Sequence, residues 1–126
     1  MAPPCATFSR ARRSDRWARL KPLRSKRFPA GLPTEKNNQR VNIANELARR
    51  CARLANIQVQ AGGWVSIENP VDSLIWCLPA YKQLLKVLVK VVGDQCAFGG
   101  LWRKPTGWLT NAQWMHFFAK ECPGML

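Results

Sequence analysis

A break in composition near residue 28 limits what this chain can fold into more than any other feature. Residues 1–27 hold nine of the twenty Lys and Arg against a single acid, Asp15. Their apolar residues follow neither the alternation of a strand nor the three-and-four spacing of a helix. A stretch with no face to bury reads as a mobile cationic loop. The folded core therefore has to come from the rest of the chain. We divide the chain into residues 1–33, a basic flexible segment with a cysteine near its start, and residues 34–126, an α/β core.

In the second part, "TEKNNQRVNIANELARRCARLANIQVQ" sets Val41, Ile43, Ala44, Leu47, Ala48, Cys51 and Leu54 near the spacing of an amphipathic helix. Pro33 and Thr34 supply a turn and cap before it, and Gly62-Gly63 a stop after it. "WVSIEN" predicts a short strand with Val65 and Ile67 toward the core, closed by the Asn69-Pro70 turn. "VDSLIWCLPAYKQLLKVLVK" predicts a helix broken near Pro79. "VKVVGDQCAFGG" and "LWRKPTGWLTN" predict two further strands around a Gly pair and a basic turn. The order helix, strand, helix, strand, strand points to an α/β layer structure. Trp64, Trp76, Trp108 and Trp114 are expected to fill the core or cover helix faces, while Trp17 or Trp102 could instead stack on bases. His116 has no triad partner beside it and reads as a partly buried surface histidine.

The 126 residues suffice for one domain with a modest core. A formal net charge of +13 makes a polyanion the natural partner, nucleic acid first and an acidic membrane surface second. No apolar run approaches the roughly 18 residues needed to span a bilayer. The start lacks a secretory apolar run, though its Arg- and Ser-rich character also suits an organelle transit peptide. Five cysteines without a CxxC pair fit neither a disulfide framework nor a zinc ribbon. We expect no metal, and an intracellular, reducing compartment, the nucleus if the source is eukaryotic.

Three places offer chemistry. In "PPCATFS", Cys5 follows a rigid Pro3-Pro4 corner and precedes Arg10, Arg12 and Arg13, whose positive charge would favour a thiolate. It reads as an activated nucleophile or as an inert thiol. In "SIENP", Glu68 ends a strand at the carboxyl edge of a sheet, where α/β folds bind ligands. It is a general acid, a hydrogen-bond partner, or a solvated side chain at a turn. In "GGLWRKPTGWLTN", Arg103 and Lys104 offer cations beside glycines, suited to phosphate or to a base edge, or else a charged hairpin tip.

Taken in order, "APPCATFSRAR", "IENPVDSLIW" and "CAFGGLWRKPTGWLTN" resemble motifs of the DNA cytosine-5 methyltransferases, especially divergent phage and mobile-element members. The resemblance spans Pro3 to Asn111, with firm matching in those three blocks. It implies that Cys5 adds to carbon 6 of an extruded cytosine, that Glu68, with Asn69 beside it, holds ring nitrogen 3 and assists its protonation, and that Arg103 and Lys104 contact the base. Pro70 stands where the family has valine, and the usual Gln-x-Arg-x-Arg wording is absent from the third block. Arg10, Arg12 and Arg13 would belong to a basic loop that closes on DNA beside the extruded base.

S-adenosylmethionine is the implied methyl donor, but the family's Phe-x-Gly-x-Gly turn is missing from this sequence. The expected fold is thus a partial Rossmann-like methyltransferase sheet with flanking helices, lacking the cofactor-binding half. The expected function is a partial or remnant DNA cytosine-5 methyltransferase, active when another chain supplies that half. The alternative is a non-catalytic, basic nucleic-acid-binding module; whether the chain is an enzyme stays open at this point.

Overall fold

The structure is a computed structural model and describes residues 1–10 and 21–124. Arg12, Arg13 and Trp17 lie outside the described residues. The architecture is mixed α/β, with elements in the order α1 (Gln39–Gln60), β1 (Ser66–Pro70), α2 (Pro79–Leu84), β2 (Val89–Asp94) and β3 (Pro105–Thr110).

Helix α1 starts at a side-chain cap. Asn38 Oδ1 accepts from the amides of Arg40 and Val41 at 3.0 and 3.3 Å, and Glu35 holds the Asn38 amide at 2.7 Å. The cap is therefore Asn38; Thr34 sits in a preceding 3-10 turn, Pro33–Glu35. At the other end, Gly62 and Gly63 donate back to Val59 and Gln58 and close the helix.

The buried face of α1 differs from the expected one. Val41, Ala44, Ala48, Ala52 and Ala55 are buried, whereas Ile43, Leu47 and Leu54 are exposed together with Ile57. The sequence contains two apolar stripes on roughly opposite sides of the helix. Small side chains won the interior because they allow close approach: Tyr81 of α2 donates its hydroxyl to the Ala48 carbonyl at 2.9 Å. Burial pushes that phenol well above the usual tyrosine range.

The expected kinked helix after β1 is two pieces. Ser73 Oγ caps a 3-10 turn, Leu74–Cys77. Leu78 is extended, as the residue before a proline tends to be, and α2 then begins with Pro79 in its first turn.

The three-stranded sheet has the order β1-β3-β2. Its neighbours are antiparallel, with Ile67 opposite Leu109, Glu68 opposite Trp108, and Val91 opposite Trp108 on the other side. Strands β1 and β2 therefore run parallel, with β3 reversed between them. Ile67 and Leu109 face the helices and join Phe8, Ile75, Tyr81 and Leu84 in the core. The opposite face, with Trp108, meets the C-terminal 3-10 turn Gln113–Phe118; the Trp108 and Phe118 rings lie 5.3 Å apart. Gly93 is required there, since a Cβ would collide with the Phe118 carbonyl oxygen.

The free edge of β1 is occupied by the start of the chain. The Met1 ammonium donates to the Ser66 carbonyl at 2.6 Å, and Glu68 N donates to the Met1 carbonyl at 2.8 Å. Bonds from one residue to both neighbours of Ile67 form a parallel bridge. Met1 thus covers part of the free edge of β1, and the sheet keeps three strands.

Three further expectations are corrected. Arg24, in the basic segment, is buried and bonds through its guanidinium to Thr7, Pro29, Asn45 and Val41. Trp76 is buried, but Trp64 and Trp114 are exposed and stack edge-on against each other at 4.7 Å, and His116 is exposed as well. The five thiols are not all free: Cys96 and Cys122 form a disulfide across 26 residues, a separation no local spacing rule marks. The inference of a reducing compartment loses its basis. Among the described residues, no helix is long and apolar enough to cross a membrane.

Candidate functional site

The site is built at the carboxyl end of β1, where the chain start comes alongside. Residue alternation sends Glu68 and Asn69 to opposite faces of the sheet. Asn69 turns inward. It is almost fully buried, and its Nδ2 donates to the Pro3 carbonyl at 2.9 Å. Its role is to position the Pro3–Cys5 segment, since it touches that backbone and no surface. Its Oδ1 is buried without a hydrogen-bond partner.

Cys5 follows the buried Pro3 and is exposed. Its carbonyl accepts from Phe8 N at 2.9 Å and Ser9 N at 2.7 Å, so a tight turn holds the residue that carries the thiol. Phe8 anchors the far side of that turn: its ring is fully buried, and its carbonyl accepts from Leu74 N at 3.0 Å. Arg24 stacks on the Phe8 ring at 3.7 Å and bonds Thr7 Oγ1 at 2.9 Å. Burial draws its guanidinium down to about 10, which leaves it charged at neutral pH. A buried cation therefore braces the turn from behind.

Glu68 turns to the other face. Its Oε1 is shielded from solvent, accepts no hydrogen bond, and has Lys104 Nζ at 3.6 Å as its charge partner. Lys104 is thus brought to Glu68. Arg103 is not: its Nε pairs with Asp94 Oδ2 at 3.2 Å, and the guanidinium stays largely exposed. Arg10 is exposed on the segment following Cys5. Sequence reasoning treated Arg103 and Lys104 as one cluster, but adjacent residues at a strand start point apart.

No family model, curated protein or solved structure matches the chain. The chemistry has to be judged on the geometry alone. Among the described residues, no group of three or more His, Cys, Asp and Glu converges as a metal site would require. Two clefts of about 390 and 320 Å³ lie elsewhere, one between Phe28 and Asn42 and the other between Asn45 and Tyr81, and neither includes Cys5 or Glu68. Sequence reasoning missed Arg24 and Thr7 as supports. The one signal available was Thr7 and Phe8 close behind Cys5, and nothing local paired them with Arg24.

The described residues also do not fit S-adenosylmethionine. β1 passes into the Leu74–Cys77 turn through Val71, Asp72 and Ser73, with no glycine-rich strand-to-helix loop to approach a nucleoside closely. No methyl-transfer step is derived from this chain.

Proposed function

We propose that this chain is the base-handling part of a cytosine-5 methyltransferase-like enzyme acting on DNA, with a complementing chain supplying the methyl donor. The observation that carries the reading is the parallel bridge between Met1 and β1. It runs the chain start along β1, and Asn69, the neighbour of Glu68, bonds the Pro3 carbonyl two residues before Cys5, although Pro3 and Asn69 are 66 residues apart in sequence. In the sheet itself, β3 lies reversed between β1 and β2, which run parallel to each other.

The chemistry asked of these residues is a reversible conjugate addition. The Cys5 thiolate forms a C–S bond to carbon 6 of the pyrimidine. The ring's π electrons move through carbons 5 and 4 onto nitrogen 3, and the Glu68 carboxyl delivers a proton there. Carbon 5 becomes an enamine carbon, nucleophilic toward an electrophile. In reverse, the proton returns to Glu68 and the thiolate leaves. Splitting a hard aromatic substitution into such steps is what covalent catalysis achieves. An extruded or single-stranded base is required, because carbon 6 is inaccessible inside a stacked duplex.

A strand carrying pyrimidin-2-one in place of cytosine tests this, since loss of the 4-amino group makes carbon 6 more electrophilic and addition needs no methyl donor. Incubation with the protein should give a covalent adduct on a denaturing gel. Cys5→Ser should abolish it and Glu68→Gln should slow it about a hundredfold, as expected for loss of a general acid. An adduct that persists in Cys5→Ser, through Cys51 or Cys77, would overturn the assignment, as would no adduct at all. The second reading, a non-catalytic basic nucleic-acid-binding module, is favoured by the exposed aromatic and basic residues of the β2–β3 hairpin, and absence of an adduct with binding retained would select it.

A further inference from the structure

The hairpin joining β2 to β3 is closed at its base, where Gln95 N donates to the Lys104 carbonyl at 3.2 Å. Gly99 turns it at φ +88°, in the left-handed region that favours glycine. Its tip holds Leu101 and Trp102, which are 84% and 79% exposed. Nothing in the core accounts for an indole presented to solvent beside Arg103 and Lys104.

The C-terminal segment brings a second set of rings against the same hairpin. Phe98 lies 5.9 Å from Phe117 and 5.3 Å from Phe118, and Lys120 Nζ sits 4.1 Å above the Phe117 ring. Three ties hold this segment in place. Cys96 is bonded to Cys122, Asp94 N donates to the Lys120 carbonyl at 2.8 Å, and Cys122 N donates to Asp94 Oδ2 at 2.8 Å. The same carboxylate oxygen also pairs with Arg103. The hairpin and the C-terminal segment are thus fastened into one surface.

We infer that this surface is a stacking platform for single-stranded nucleic acid, in which Trp102 and Phe117 receive bases while Arg103, Lys104 and Lys120 receive phosphates. Exposed aromatic side chains interleaved with cations match a ligand that alternates flat π-faces with negative charge. A duplex hides the flat faces of its bases, and only an unpaired strand offers them. The net charge of +13 favours the polyanion at longer range. The inference deepens the base-handling reading and rests on it for one point, that the bound strand leads to Glu68. Lys104 belongs to the hairpin and to the Glu68 ion pair at once, and so joins platform to site.

The test is fluorescence anisotropy with labelled oligodeoxyuridylate, oligouridylate and a DNA duplex of equal length, at one salt concentration. A single strand should bind more tightly than the duplex, and whichever of the two single strands is tighter identifies the sugar preferred. Trp102→Ala should weaken single-strand binding about tenfold, as loss of one stacked base does. Phe117→Ala should weaken it as well, and Trp114→Ala, at an exposed indole paired with Trp64 instead, should leave it unchanged. These strands carry no pyrimidin-2-one and their binding is read without adduct formation, so a failed adduct experiment and a failed platform are separate results. Equal affinity for the duplex, or parent-like binding by Trp102→Ala and Phe117→Ala, would overturn the inference. Trp102-dependent binding to anionic phosphatidylserine vesicles without strand binding would overturn it too.

Discussion

Arg24 ties together three segments that are separate in sequence. Its guanidinium donates to a hydroxyl, an amide oxygen and two backbone carbonyls while lying flat on Phe8, an arrangement a planar fork can make and an ammonium cannot. Removing it leaves acceptors from three separate segments without donors. Arg24→Met should therefore cost about 3 kcal/mol in denaturant unfolding, and Arg24→Lys should recover only part of that. The Cys5 turn, tied through Thr7 and Phe8, should loosen in both variants. A second cation, Lys90, is held differently: its Nζ donates to the Val71 carbonyl at 2.9 Å over the Trp76 ring, and burial draws the ammonium below the usual lysine range. In the sequence, both were two more charges in a basic chain.

The two stripes of α1 make the clearest statement about elements. Periodicity marks a helix whichever stripe is inside, because both repeat at three and four residues. Choosing between them on hydrophobicity favours Ile43, Leu47 and Leu54, yet the alanines are buried, since the partner elements approach too closely for larger side chains. Substitutions should separate the faces. Leu47→Gln should change stability by less than about 0.5 kcal/mol, whereas Ala48→Leu should cost about 2 kcal/mol through overpacking against α2. Thermal melts of the two variants check this, and a reversed order would mean that the stripes had been assigned the wrong way round. The strands were more legible. "WVSIEN" and "LWRKPTGWLTN" carry short β-prone runs bounded by Gly, Pro or Asn, and β1 and β3 form close to or within them.

At the scale of the whole molecule, long-range links turn a set of elements into a site. The Met1 bridge and the Asn69–Pro3 bond draw the chain start to β1, and the Cys96–Cys122 disulfide draws the C-terminal segment to the β2–β3 hairpin. Closing a loop of 26 residues restricts the unfolded chain, so reduction should lower stability by about 3 kcal/mol. Unfolding curves with and without a thiol reductant measure that loss. Reduction should also weaken single-strand binding, because Phe117 and Lys120 are then fastened to the hairpin only by hydrogen bonds and ring contacts.

The order of the elements and the short strands come from local preference: capping side chains, β-branched alternation, and the conformational limits of proline and glycine act over a few residues and are written in them. The same holds for Cys5 and Glu68 as candidate residues, since their chemistry belongs to their side chains. Which stripe of α1 is inside, that Arg24 is interior, that Lys104 and not Arg103 meets Glu68, and that Cys96 pairs with Cys122 were settled only on folding. Each depends on distance between segments remote in sequence, and the packing that sets such distances is a property of the assembled chain.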